Sequence, residues 1–344
     1  VPDALFDVMT LPAPAIDAAT AVEVASAWGL SGTATAQSGE RDRNFRLDAA
    51  DGRRFLLKFA NPAEDAGFRA LQVATLRHLE AAAPALPVPR VVTLPDGAVE
   101  LPVPYRGGTA WARLLTWVPG VPVSATPRSA AQRAAHGRML ARLQAALAGF
   151  AHPEAARHEI VWDLAHLARL PQITHAIPDA AARAIVHRVV DRFLAEVAPA
   201  IPALPRQLVH NDLHLSNVLA DPDAPDTITG LIDFGDITTT ARVFDVAIAT
   251  VSQPPPGHDR ATAWAEFLAA FHAERPLTAQ EIALIPLLIA VRTALGTALV
   301  CWHHMNQPDA GHFTLDDAFF AARAAITADA LAPATAEQFT KSLL

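Results

Sequence analysis

The sequence predicts an α+β fold in two lobes, an antiparallel-sheet N-lobe and a mainly helical C-lobe. Three observations carry this expectation. Up to about residue 118 the chain reads as short apolar runs separated by turn dipeptides such as Asp51-Gly52 and Asp96-Gly97. From Ser129 onward it changes to long Ala-, Leu- and Arg-rich segments with helical apolar spacing. Within that second half, the stretch 207–236 (QLVHNDLHLSNVLADPDAPDTITGLIDFGD) returns to short strands joined by polar loops. A chain of 344 residues is long enough to give each lobe a core. The expected bounds are an N-lobe at 1–115, a hinge at 116–124 and a C-lobe at 125–344.

Residues 1–16 carry several prolines and little periodicity, and read as a lead-in. Asp17 or Thr20 can cap a helix with apolar positions Ala21, Val24, Ala25 and Trp28, and Gly29 ends it. A strand follows, then a polar loop from Ser38 to Asn44. Phe45–Leu47 begins the second strand, Asp51-Gly52 turns the hairpin, and Arg54–Phe59 is the third. Residues 64–82 read as a helix with Phe68, Leu71, Thr75, Leu76 and Leu79 along it. Pro87–Val92 begins the next strands, and Ala110–Val118 is an apolar strand stopped by Pro119-Gly120.

In the second half, 129–147 and 180–198 read as helices, the first with Met139, Leu140, Leu143 and Leu147 on an apolar stripe. His136 reads as a packed or solvated helix residue, and Asp163 as a cap or structural contact rather than a substrate contact. Beyond 236, a helix is expected to start at 243–247, and further helices near 258–273, 278–290, 291–305 and 314–331. The most apolar stretch, Ile282–Trp302, holds Pro286 and Arg292 near its middle. A membrane span would be heavily penalised by that Arg, so a buried lobe helix or helix pair is expected.

The chemistry lies in 207–236. Asp212 and Asn217 are five apart in one loop, and Asp233 follows 16 residues later. A hairpin between them can bring all three to one end of the strands. Two carboxylates and an amide oxygen suit a hard cation such as Mg²⁺, which keeps sites open for nucleotide phosphates. A carboxylate left off the metal can orient a hydroxyl and accept its proton. Kinases place these groups as H-x-D-x-x-x-x-N followed by D-F-G. His210, Asp212, Asn217, Asp233, Phe234 and Gly235 fill those positions in order. An acidic hairpin with solvated carboxylates is the plain alternative, and the ordered joint match outweighs it. A zinc site at His210 and His214 would leave D-F-G and Lys58 without a role.

Lys58 points the same way. Of the 27 Lys and Arg residues only Lys58 and Lys341 are lysine, yet Lys58 interrupts an apolar strand. A compact ammonium on a flexible stem suits the α- and β-phosphates of ATP, where a guanidinium fits differently. A strand-end lysine reaching solvent is the competing reading.

The 207–236 segment resembles the aminoglycoside phosphotransferase and choline kinase superfamily. IDFGD followed by ARVFDVAIA, with SGERDRNFRL and RFLLKFANP nearer the N-terminus, is most similar to its hydroxylysine kinase branch. The resemblance runs from about residue 30 to about 250. It implies a protein-kinase-like fold and ATP-dependent transfer of a phosphoryl group to a small-molecule hydroxyl. It assigns catalysis to Asp212, the metal to Asn217 and Asp233, and support of the loop to His210 and Asp245. It gives the nucleotide Lys58, Asn44 in the polar loop, and Thr116 and Val118 at the hinge. Lys58 usually pairs with a Glu on the next helix. Here the alignment puts Gln72 at that place, with Glu64 as the other choice. Asp236, Arg292 and His214 are the substrate candidates, and His303-His304 could also line a pocket. The acceptor is 5-hydroxy-L-lysine or a related amino alcohol, with aminoglycoside, homoserine and choline or ethanolamine as alternatives. A nucleotide-binding pseudokinase and a metal-dependent hydrolase are the competing classes.

Composition bounds the rest. Hydrophobic residues make 51% of the chain and charged residues 18%, which indicates a globular protein. A net charge of −8 without any basic run argues against a nucleic-acid surface. The single cysteine, Cys301, permits no internal disulfide, and the first residues do not read as a signal segment. A cytoplasmic protein with no membrane partner is expected. Oligomeric state is not legible.

Overall fold

A computed structural model describes residues 6, 12–39, 41–307 and 314–344. Most of the lead-in (1–5 and 7–11) and Glu40 of the polar loop lie outside the described residues. The chain divides into two compact units, Leu11–Pro119 and Gly120–Leu344, with the buried Phe6 belonging to the second.

The first unit opens with helix α1 (Ala18–Ala25). Asp17, not Thr20, is its cap: Asp17 Oδ1 accepts the Thr20 N–H at 2.8 Å, a contact worth about 1 kcal/mol. Gly29 ends the helical run at φ 70°, the left-handed conformation that glycine adopts without a Cβ clash. Strands β1 (Gly32–Gln37), β2 (Arg43–Ala49) and β3 (Arg54–Ala60) form an antiparallel meander. After helix α2 (Ala66–Ala82) come β4 (Val91–Val92), β5 (Leu101–Tyr105) and β6 (Gly108–Thr116), and β6 pairs with β3, β4 and β5. Alternation along the strands sends Phe45, Leu47, Phe55, Leu57, Phe59, Ala112 and Leu114 into one core with Ala21, Ala25 and Trp28. The other face carries a polar row, because Asn44 is in register with Lys58 and Lys58 with Arg113.

In the second unit β7 (Val121–Pro122), β9 (Val218–Ala220) and β10 (Ile228–Leu231) form a small sheet, and β8 (Arg206–Val209) pairs with β11 (Thr238–Ala241). Helices α3 (Ala130–Ala146), α4 (Ala180–Arg192), α5 (Arg242–Val251), α6 (Arg260–Glu274), α7 (Ala279–Asn306), α8 (Asp317–Ala330) and α9 (Pro333–Leu343) supply the bulk. Helices α3 and α6 pack closely, and Gly137 is why they can: a Cβ there would lie 2.3 Å from the Phe267 carbonyl oxygen. Trp264, Phe267 and Phe271 of α6 are fully buried, each worth about 1.5–3 kcal/mol of transfer free energy.

Two helix expectations are corrected. The stretch 180–198 is α-helical only to Arg192 and continues as a π turn, Phe193–Val197. The segments 278–290 and 291–305 are one helix, α7. Pro286 removes a backbone donor, but α4, α5 and α8 pack around α7 and hold it continuous. By length and composition α7 could cross a membrane, yet 83% of its most apolar window is buried within the fold. Its start is fixed by a Thr278–Glu281 capping box, and Glu281 also takes a bidentate ion pair from Arg242 at 2.7 Å. Helix α9 was not foreseen.

His136 on α3 is buried edge-on to Phe267, and its Nδ1 accepts from Gln253 Nε2 at 3.0 Å. Burial, helped by the neighbouring cation Arg128, pushes its pKa from 6.5 to about 3. The folded pKa is below the unfolded one, so as pH falls below 6.5 the unfolded chain takes the proton first and stability is lost. By pH 5 this one group is expected to cost about 2 kcal/mol. Urea unfolding of the wild type and His136→Gln between pH 7 and pH 5 reads it: the variant's stability should be flatter, and equal slopes would refute the assignment.

Candidate active site

Strand β8 ends at Val209 and the chain enters the polar loop. Asn211 takes φ 67°, and its backbone N–H donates to Asp245 Oδ1 at 2.9 Å. Asp245 is fully buried and also accepts from Gln144 Nε2 at 3.0 Å. Burial raises its pKa, and its partners are donors that hold the loop's shape. His210 is buried too. Its Nε2 donates to the Ile232 carbonyl at 3.0 Å while its Nδ1 accepts the Asp212 N–H at 3.3 Å. Those partners occupy both ring nitrogens, which removes His210 from any zinc site. Phe234 packs 4.8 Å from it, so the two loops are pinned together by one ring.

The Asp212 carboxylate is shared among three side chains. Asn217 Nδ2 donates to its Oδ2 at 3.0 Å and to its backbone oxygen at 2.9 Å. His214 Nε2 lies 3.4 Å from the same Oδ2. Arg292 Nη2 donates to Oδ1 at 3.3 Å, and the guanidinium stacks 4.9 Å from the Trp162 ring. Burial alone would raise the pKa of Asp212, but His214 and then Arg292 outweigh it and hold the carboxyl below its ordinary 3.8. Asp212 is therefore ionised at neutral pH. For His214, burial opposes protonation and the Asp212 partner outweighs it, raising the imidazole above 6.5. The Ser216 N–H on His214 Nδ1, at 3.2 Å, favours the neutral ring and works against that shift.

Strand β10 delivers the acidic loop. Asp233 sits at φ 63°, ψ 74°, a strained conformation for a non-glycine residue, and its Oδ1 accepts the Gly235 N–H at 3.3 Å. The Ile232 N–H donates to the Asn217 carbonyl at 2.9 Å and ties this loop to the first. Among the described residues, no group of three or more His, Cys, Asp or Glu is arranged to hold a metal alone. The donor set still fits Mg²⁺, which binds through one or two carboxylates plus phosphate and water. Asn217 spends its Nδ2 on Asp212, which leaves its amide oxygen as the acceptor on the other side. Asp236 is buried at the end of the same turn.

In the first unit, Lys58 pairs with Asp42 rather than with Gln72: Nζ to Oδ2 is 2.8 Å. The register explains it. Arg43 is opposite Phe59, which brings Asp42 to the end of β3, across from Ala60; its Oδ1 takes the Asn61 N–H at 2.9 Å and its Oδ2 reaches back to Lys58. Despite burial, the Lys58 charge keeps the Asp42 pKa low. Gln72 instead bridges two other groups, donating to Glu64 Oε1 at 2.9 Å and accepting from Arg113 Nη2 at 2.7 Å. Glu64 has its pKa raised by burial and by the nearby Asp42 charge. Arg113 lies 3.5 Å from Glu100, which also pairs with Arg69 at 3.3 Å. Asn44 Nδ2 is 3.5 Å from the Ser38 carbonyl, and its buried Oδ1 has no hydrogen-bond partner among the described residues.

The other expected positions are more ordinary. The Thr116 N–H donates to the Arg90 carbonyl and its Oγ1 accepts the Arg90 N–H, both at 2.9 Å. Those two groups of Thr116 are thus committed to the edge of the sheet; Val118 follows it, half-buried. Asp163 is structural, accepting from Ala165 N–H and Thr240 Oγ1. Trp302 packs on His175 at the C-terminal end of α7, beside His303.

Comparison with known proteins then decides the family. The model of the phosphotransferase enzyme family matches residues 33–277. The chain belongs to this family. It is 28% identical to hydroxylysine kinase of Mus musculus over 206 residues, covering 57% of this chain and 55% of that protein. It is 33% identical to homoserine kinase of Methylobacterium nodulans over 222 residues, covering 60% and 64%. The chain therefore spans little more than half the length of the hydroxylysine kinase it matches. A microcompartment-associated aminopropanol kinase superposes with TM-score 0.70 at 19% identity, over 94% of this chain and 98% of that one. Amicoumacin kinase gives 0.68 at 17% identity, over 92% and 93%. These two likenesses establish the protein-kinase-like phosphotransferase fold.

Asp42 is the partner of Lys58 that the sequence reading passed over. Its signal was present: a carboxylate two residues before Asn44 lies within reach of Lys58 once the strand register is known. Trp162 was passed over as well, since nothing local marks it as the platform under Arg292.

Proposed function

We propose that the protein is a small-molecule kinase that transfers the γ-phosphoryl group of ATP to the hydroxyl of an amino alcohol or hydroxy amino acid. 5-Hydroxy-L-lysine leads the candidates; homoserine, choline or ethanolamine, and an aminoglycoside are the alternatives. The observation that carries this reading is the ionised Asp212 held by Asn217, His214 and Arg292, with Asp233 on the loop pinned beside it. Asp212 receives the acceptor's hydroxyl proton. The acceptor oxygen forms its bond to the γ-phosphorus as the bond to the β–γ bridging oxygen breaks, and that electron pair leaves on ADP. Asn217 and Asp233 would hold Mg²⁺, which when bound would neutralise charge on the phosphates. Lys58 and Asn44 serve the nucleotide, 116–124 is the hinge segment with Thr116 and Val118 at the adenine, and the protein works in the cytoplasm.

A pseudokinase reading draws on the Gln at position 72. The Lys58–Asp42 pair weakens it, because the lysine has a carboxylate from another source. The test is nucleotide turnover by the full chain with Mg²⁺ and each acceptor in turn. Turnover with one acceptor supports the kinase; nucleotide binding without turnover on the whole panel supports the pseudokinase.

A further inference from the structure

From Ile285 to Trp302 helix α7 is buried at every position but two, Arg292 and Gly296. They stand one turn apart on one helix face. This is where the interior of α7 opens, and it opens beside Asp212. A glycine in mid-helix is unfavourable relative to alanine. Within 4 Å a Cβ on Gly296 would meet a single atom, Arg292 Nη1 at 3.5 Å. The missing side chain thus leaves a slot against the guanidinium.

Arg292 is under-used where it stands. A guanidinium has five N–H donors in a planar fork. Among the described residues it makes one hydrogen bond, the 3.3 Å contact to Asp212 Oδ1. Its guanidinium carbon lies over the Trp162 ring, 4.9 Å from the centroid, and its side chain is 15% exposed. A stacked guanidinium with an open edge matches a planar anion with two oxygens.

We propose that Arg292 is the receptor for a carboxylate carried by the acceptor, resting on Asp212 until that carboxylate arrives, with Gly296 keeping the slot open. The inference rests on the kinase reading for the word acceptor. Engagement of the carboxylate draws Arg292 from Asp212 Oδ1 and frees that oxygen for the hydroxyl. An acceptor without a carboxylate leaves the arginine on the base. The substrate class is then a hydroxy amino acid, and amino alcohols and aminoglycosides are disfavoured.

The test uses matched pairs that differ by one carboxylate: 5-hydroxylysine with 1,5-diaminopentan-2-ol, and homoserine with 3-aminopropan-1-ol. Binding to the full chain is measured by calorimetry with Mg²⁺ and a non-hydrolysable ATP analogue, so a failed turnover assay does not decide the result. The wild type should bind the carboxylate member of one pair about 10–100-fold more tightly, the range of a charge-assisted hydrogen-bonded contact. Arg292→Gln should collapse that ratio to about twofold, and Arg292→Lys should restore part of it. Gly296→Leu should also collapse it while thermal stability is kept, since leucine favours the helix. Equal affinities within both pairs in the wild type, binding of neither member, or a ratio unmoved by Arg292→Gln would each overturn the proposal. So would kcat losses in Arg292→Gln that are equal for both members, which would place the guanidinium on the transferred phosphoryl group.

Discussion

Asp212→Asn is expected to lower kcat for acceptor phosphorylation by about 10²–10⁴-fold, the usual contribution of a positioned general base. Asparagine keeps the shape but has a single acceptor oxygen, so it can retain only one of the Asn217 and Arg292 contacts, and it cannot take a proton. The carboxyl of Asp212 is held below 3.8 by His214 and Arg292. The Asp212 carboxylate therefore stays ionised through the neutral range, and its own titration should produce no acid limb near neutrality. Its depressed pKa also fixes the sign of its stability term: present above the unfolded value, and lost as pH falls through the folded one. Nucleotide-induced thermal stabilisation should survive in the variant, because Asp212 is not among the groups assigned to nucleotide or metal. A kcat within threefold of wild type would remove Asp212 from the role of base.

The fold was legible where one strong local signal decides each element. Alternation in β2 and β3, the Asp17 cap, and turn dipeptides at 51–52 and 96–97 are local facts. The division of α7 at 290 misread the helix because its continuity comes from packing on all sides, which no local pattern encodes. The same contrast runs through the candidate site. Asp212, Asn217 and Asp233 are close in sequence and joined by one hairpin, so their grouping could be read from spacing. The Lys58–Asp42 pair depends on the register of two strands, and the Gln72–Arg113 contact on how α2 meets β6. Arg292 was marked by its charge in an apolar helix; its partner, 80 residues away, was not.

Lys58→Arg should lower kcat/KM for the nucleotide by about 10²-fold or more, the scale for one preorganised donor to a phosphoryl group. The substitution keeps the charge and so keeps Asp42 balanced. The loss would come from shape, since a planar fork cannot reproduce a point charge on a flexible stem. Lys58 is 11% exposed and Asp42 14%, so the larger head group also strains the site by about 1–3 kcal/mol. Lys58→Ala would confuse these effects, because removing one partner of a buried pair costs about 3–5 kcal/mol by itself. The double change Lys58→Met with Asp42→Asn separates them. With Asp42 neutralised as well, it should regain part of the stability that Lys58→Ala loses, because a neutral pair of similar volume is tolerated where a broken ion pair is not; Glu64, whose charge Lys58 also offsets, keeps the recovery partial. Its turnover should stay as low as that of Lys58→Ala, since no cation then faces the phosphates. If the double variant instead recovered turnover together with stability, Lys58 would be a structural partner of Asp42, and the phosphates would have to be held by another cation.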